Sequence, residues 1–267
     1  MRSDRKGFLQ KAAAVVAAAA AGPLIAGAPA GAADSRVATK YLLLLDGQPG
    51  GWLLTAGVTG QTIPATAGPA MSSAFFNWLK ASFGGGGPRK NGAIVSADSS
   101  FSPIARTEFS NAMLTDIGFP ALDGSSKDPA YMSLKISTEG TKFEILNAAQ
   151  TAAIAVPAPG PQKIWNSSNF RLTIPGVDCK YVLKIDGIRS GGSTLAATLP
   201  ASHVLDFVQW KTHPVSKPVT LEYLEPNDQS VFFKIDFAGV QLTNVAKGAD
   251  QVKVTMSYGG ARLAQTP

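Results

Sequence analysis

The chain has 267 residues, 45% of them hydrophobic and 16% charged, with 27 Gly, 18 Pro and a single Cys, which suffices for one large or two small globular domains. The lone Cys179 excludes a disulfide framework within the chain, and it has no Cys or His neighbour at metal-ligand spacing. Net charge is +6, falling to about +3 without the amino-terminal residues Arg2, Asp4, Arg5, Lys6 and Lys11, which is no footprint for nucleic acid.

Residues 1–33 read as a cleavable export signal. A charged start containing Arg5, Lys6, Phe8 and Leu9 precedes an Ala/Val-rich stretch from Ala12 to Ala33. The stretch leaves through the small residues Ala30, Ala32 and Ala33, the parts of a secretory leader in their usual order. The Arg5 to Leu9 segment resembles a twin-arginine signal with Lys6 in place of the second arginine, so the twin-arginine and general routes both stay open. Gly22, Pro23, Gly27 and Pro29 interrupt the apolar run, against a membrane span of ~20 apolar residues. The expectation is processing between Ala30 and Asp34 and an extracellular, cell-surface or periplasmic protein that meets a membrane only during export.

From Val37 the chain reads as strands. Many short β-rich runs are separated by Gly, Pro, Asn and Asp, the pattern of an all-β protein. Lys40 to Gly47 is a continuous apolar run ending in a turn, as expected of a strand buried on both faces, and Trp52 to Val58 follows. Ala70 to Phe83 has helical spacing, with Ser72 or Ser73 as N-cap and Gly84 to Gly87 as its stop. Asn91-Gly92 reads as a tight turn, Ala105 to Phe119 as a long strand, and Asp123 to Ser126 as a polar turn before another strand. Leu42–Leu45 and Phe232–Phe237 are long and apolar with little charge, and are expected to be unpaired edges.

Four pieces carry a resemblance: Lys90–Val95, Phe109–Ala112, Leu122–Lys127 and Leu134–Gly140, preceded by the amphipathic segment Phe75–Phe83. In order and spacing this set resembles the contractile phage tail-tube proteins, a family that extends to tube subunits of related injection machines. It covers residues 37–146 directly. The resemblance implies a β-barrel that forms rings and stacks into a tube. It implies assembly contacts through loops and turns at Gly84, Arg89, Lys90, Asn91, Gly92, Asp123, Gly124 and Ser125.

The second half repeats the order of the first. Lys180–Gly187 matches Lys40–Gly47 at an offset of 140, and Phe207–Trp210 can lie on Trp78–Ala81 at 129. Lys217–Glu225 matches Lys90–Asp98 at 127, and Gly260 matches Gly140 at 120. In Ser230–Val245 apolar and polar residues alternate until Gly239 breaks the phase. The fold expected is all-β with one short helix per repeat, two tandem tail-tube-like barrels or split barrels. They would occupy residues 37–150 and 163–267, joined by a Pro-rich linker at 151–162.

No chemistry emerges. His203 and His213 lack flanking Cys or paired carboxylates, and Asp206 near His203 needs no more than a local hydrogen bond. There is no Gly-x-Ser-x-Gly elbow, and Gly84–Lys90 lacks the strand that would feed a phosphate loop. Cys179 alternates with apolar residues as a buried thiol would. The expectation is a non-enzymatic subunit without cofactor or metal that polymerises with itself, through three-chain pseudo-hexameric rings stacked head to tail. The alternatives are a secreted two-domain protein using Trp52, Trp78, Trp165 and Trp210 to bind a glycan or lipid, or an adaptor of an injection machine.

Overall fold

A computed structural model describes residues 37–158, 165–226 and 230–265, so the export-signal residues and the end of the proposed linker lie outside the described residues. The first half runs β1 (Lys40–Leu45), β2 (Gln48–Ala56), β3 (Thr62–Met71), α1 (Ser73–Phe83), β4 (Lys90–Ala97) and β5 (Pro103–Phe119). It continues with β6 (Leu122–Asp123), β7 (Met132–Ser137), β8 (Gly140–Ile145) and α2 (Ala148–Ala153). The second half runs β9 (Phe170–Thr173), β10 (Lys184–Ile185), β11 (Ile188–Arg189), β12 (Thr194–Pro200) and α3 (Leu205–Thr212). It ends with β13 (Lys217–Leu224), β14 (Val231–Lys247), β15 (Gln251–Ser257) and β16 (Gly260–Gln265).

The first six-stranded barrel closes in the order β5-β4-β1-β2-β3-β7, with β7 returning to β5. The second runs β10-β12-β15-β14-β13-β9 and is nearly closed; no ladder joins β9 to β10 among the described residues. The chain is therefore two tandem β-barrels, as its strand-rich pattern indicates. The halves also exchange strands: β6 of the first pairs β10, and β11 of the second pairs the end of β5. One continuous core runs through both barrels. At the junction the Phe119 ring lies 5.5 Å from Phe83 and 5.3 Å from Phe233 between centroids.

Local signals explain the helix. Ser72 Oγ accepts from the Phe75 amide at 3.3 Å, and Gly84 ends α1. The helix buries Phe75, Phe76, Trp78, Leu79 and Phe83. The strand ends follow a different logic from the one expected. Leu42–Leu45 and Phe232–Phe237 are not edges: β1 lies between β2 and β4, and β14 is paired along its length. A continuous apolar run fits an interior strand, because both faces find cover there. The Asn91-Gly92 pair is not a turn either. Both residues lie inside β4 without positive φ, and Gly92 is required because a Cβ there would sit 2.1 Å from the Leu44 carbonyl oxygen.

The long strands β5 and β14 each have 17 residues and bend at corresponding places. Asn111 takes φ of +51° and Gly239 takes +66°, the left-handed region that Gly and Asn tolerate best. Before the bend β5 pairs β8 and β14 pairs β16; beyond it they pair β7 and β15. Each then has a bulge, between Leu114 and Asp116 and between Leu242 and Asn244.

Register corrects two of the internal matches. Leu172 of β9 pairs Leu221 as Leu43 of β1 pairs Ile94, so the counterpart of β1 is β9 rather than Lys180–Gly187. Residues 179–182 instead form a turn, with the Val182 amide on the Cys179 carbonyl at 3.1 Å. The helices match one turn away from the expected alignment. Phe207 and Trp210 occupy the places of Phe75 and Trp78, and the two indoles make equivalent bonds: Trp78 Nε1 donates to the Pro88 carbonyl at 2.8 Å, Trp210 Nε1 to that of Val215 at 2.6 Å. The pairings of Lys90 with Ala112 and Lys217 with Val240, and of Gly140 with Ser110 and Gly260 with Ala238, agree with the other two matches.

Candidate functional site

Apart from Gly84, the loop residues singled out in the sequence fall into two clusters, and both are engaged within the chain. At the start of β4, Lys90 Nζ lies 2.6 Å from Asp46 Oδ2, and the Asn91 amide donates to Asp46 Oδ1 at 3.1 Å. The Lys90 hydrogen bond holds the Asp46 carboxyl below its ordinary range. Asn91 Oδ1 accepts from the Asn111 amide at 2.9 Å and so secures the bend of β5. Arg89 spans from the Asn111 carbonyl, at 2.9 Å, to Glu139 at 3.0 Å. Gly84 sits apart at the end of α1, with open space around it.

The second cluster is the Asp123 turn. Asp123 Oδ1 accepts from the Ser125 amide at 3.0 Å and from its hydroxyl at 2.6 Å, while Oδ2 meets Lys184 Nζ at 2.7 Å. Lys184 first, then Ser125, holds this carboxyl far below the usual range. The Gly124 amide donates to the Leu183 carbonyl at 2.8 Å. Asp123, Gly124 and Ser125 thus fasten the first barrel to the second.

The candidate chemical groups do not converge. His203 stacks on Tyr181 at 3.5 Å between centroids, whereas Asp206 accepts from the Asp178 amide at 2.8 Å. His213 lies at the exposed end of α3. Cys179 is half-buried, and burial pushes its thiol up to about 12, which keeps it protonated and unreactive near neutral pH. Among the described residues no group of three or more His, Cys, Asp and Glu could hold a metal. No described helix is long and apolar enough to cross a membrane.

Two surface features remain. The first is β8, which stands off the closed barrel and, among the described residues, pairs only β5. Its outer edge therefore offers amides and carbonyls without a ladder, and Phe143 and Ile145 are 62% and 77% exposed. Sequence reasoning missed it because Lys142 and Glu144 interrupt the apolar residues; Phe143 and Ile145 at alternate positions were the available signal.

The second feature is a cleft of about 870 Å³ on the open side of the second barrel, along β9 and the 178–182 turn. Leu172, Ile174 and Val182 line it together with Asp178, Lys180 and Glu225. None of the four tryptophans does: Trp78, Trp165 and Trp210 are core residues, and Trp52 stacks edge-on against Phe101 at 4.8 Å. No family model and no curated protein matches the chain.

Proposed function

We propose that the chain is an exported structural subunit that polymerises through its barrels into stacked rings or an extracellular tube, in the manner of the tail-tube proteins its sequence resembles. The observation that carries this reading is β8. A paired-on-one-side strand bearing two exposed large apolar side chains is what monomeric proteins avoid and what an assembling subunit uses. Two similar barrels in one chain support a particular geometry. Three chains supply six barrels, giving a pseudo-hexameric ring with true threefold symmetry, in which the two kinds of barrel alternate. Such rings stack head to tail through heterologous contacts, which do not close and so propagate. The role needs no catalytic group, cofactor or metal.

Negative-stain electron microscopy of protein processed between Ala30 and Asp34 tests this. Rings with six lobes and threefold averages are expected end-on, and tubes side-on. Twelve lobes, or a filament one subunit wide, would overturn the ring; uniform small particles at every concentration would overturn polymerisation itself. A second reading, a secreted binding protein, is favoured by the 870 Å³ cleft, whose mixed lining could hold a small amphipathic ligand. Tryptophan is absent from the cleft, and Phe170 is its one aromatic lining residue.

A further inference from the structure

Resting on the polymerising-subunit reading, we propose that chains join by seating α3 of one chain on β8 of the next, so that the contact between chains repeats the contact between barrels within a chain. The internal joint is the template. There α1 lies against β16 of the second barrel. The helix buries a second face beyond the one that plugs its own barrel: Phe76 is 6% exposed and Phe83 2%, with Phe76 6.4 Å from Phe233 between centroids. The strand it covers presents Leu263, only 3% exposed.

The strand of this joint and the Phe76 side of its helix each have a counterpart left bare. Register places Phe143 of β8 opposite Thr107 as it places Leu263 of β16 opposite Ile235, so Phe143 is the residue of the first barrel that corresponds to Leu263. On the helix side, the alignment of Phe75 and Trp78 with Phe207 and Trp210 puts Val208 where Phe76 is, while α3 ends at Thr212, before the position that Phe83 holds in α1. Val208 is half-buried, and Leu205, one turn before it on α3, is 64% exposed. Eight large apolar side chains are exposed among the described residues; three of them, Phe143 and Ile145 of β8 and Leu205 of α3, lie on these two elements. One end of the chain thus carries an uncovered strand and the other an uncovered helix face, each matching a partner that the chain already demonstrates.

The occupant is therefore a second copy of this chain, and the contact is heterologous. It leaves one free strand and one free helix at the ends of every oligomer until a ring closes. The joint between chains lacks the β6–β10 and β11–β5 exchanges that reinforce the internal one. It is accordingly the weaker joint, and assembly depends on concentration.

The test uses the full processed chain with Phe143→Asp or Leu205→Asp, followed by sedimentation velocity. Burying a new carboxylate at an apolar contact is costly, so each variant should stay monomeric at concentrations where the unaltered chain forms larger species. An equimolar mixture should form dimers and stop there, because each variant keeps the one surface the other has lost. Both sites are exposed in the chain alone, so circular dichroism should be unchanged. If Phe143→Asp fails to fold, Ile145→Asp takes its place. Leu54→Asp, at an exposed apolar site away from both surfaces, should assemble normally. Variants that assemble like the unaltered chain, or a mixture that stays monomeric, would overturn this interface while leaving polymerisation intact. An unaltered chain that is monomeric throughout would instead remove the polymerising reading, and this inference with it.

Discussion

At the scale of single residues, close approach of backbone decides what is tolerated. Gly92 has Leu44 on one side and Phe109 on the other; a Cβ would sit 2.1 Å from the Leu44 oxygen and 2.5 Å from the Phe109 ring edge. Gly92→Ala should therefore destabilise by about 1–3 kcal/mol, the usual range for overpacking a filled site. Gly84→Ala is the control: its φ is −81° and nothing lies within 4 Å, so its effect should stay within about 0.5 kcal/mol. Urea midpoints measure both, and equal midpoints would show that β4 moves aside at little cost. The Asn91 side chain beside Gly92 has a separate task, which is to hold the amide of Asn111 at the bend of β5.

At the scale of elements, the bend itself is the informative unit. Asn111 and Gly239 meet the same demand for positive φ with different residues. Gly239→Asn should thus cost well under the penalty of Gly239→Val, in which a β-branched side chain is forced into the left-handed region. The stability order wild type, Asn, Val in chemical denaturation checks this; Asn as damaging as Val would mean that space rather than φ is limiting. The sequence made some elements legible and hid others for physical reasons. The α1 helix could be read because its cap at Ser72 and its stop at Gly84 are local. The long strand could be read because alternation persists over many residues, and Gly239 marked its break. The β9 strand could not, since four residues beginning at Phe170 are a strand only by virtue of pairing with β13, distant in the chain. For the same reason Lys180–Gly187 looked like the partner of β1 although it folds as a turn and a two-residue strand.

At the scale of the whole molecule, the exchanged strands govern behaviour. Because β6 completes the second sheet, β11 extends the first and one core passes between them, neither barrel has an independent boundary. Differential scanning calorimetry of the processed chain should give a single transition whose calorimetric and van't Hoff enthalpies agree. Two resolved peaks would mean that the junction around Phe119 contributes little coupling. The repeated barrel was visible in the sequence as order but only in part as alignment, because β6, β10 and β11 have two residues each and leave no pattern to read. The candidate assembly surface was hidden for a related reason: what makes β8 available is the missing neighbour, and a sequence records only the residues present.

The same junction sets a timetable for synthesis. Phe76, Phe83 and Phe119 are made well before Phe233 and Leu263, which complete the cover on them. At ribosomal speeds of roughly 5–20 residues per second, the aromatic wall of the first barrel waits on the order of ten seconds for its lid. During that interval a nascent chain offers an oily surface to any other nascent chain on the same message. Holdase chaperones that recognise exposed aromatics would find their substrate in this window, and slow codons between the halves would lengthen it.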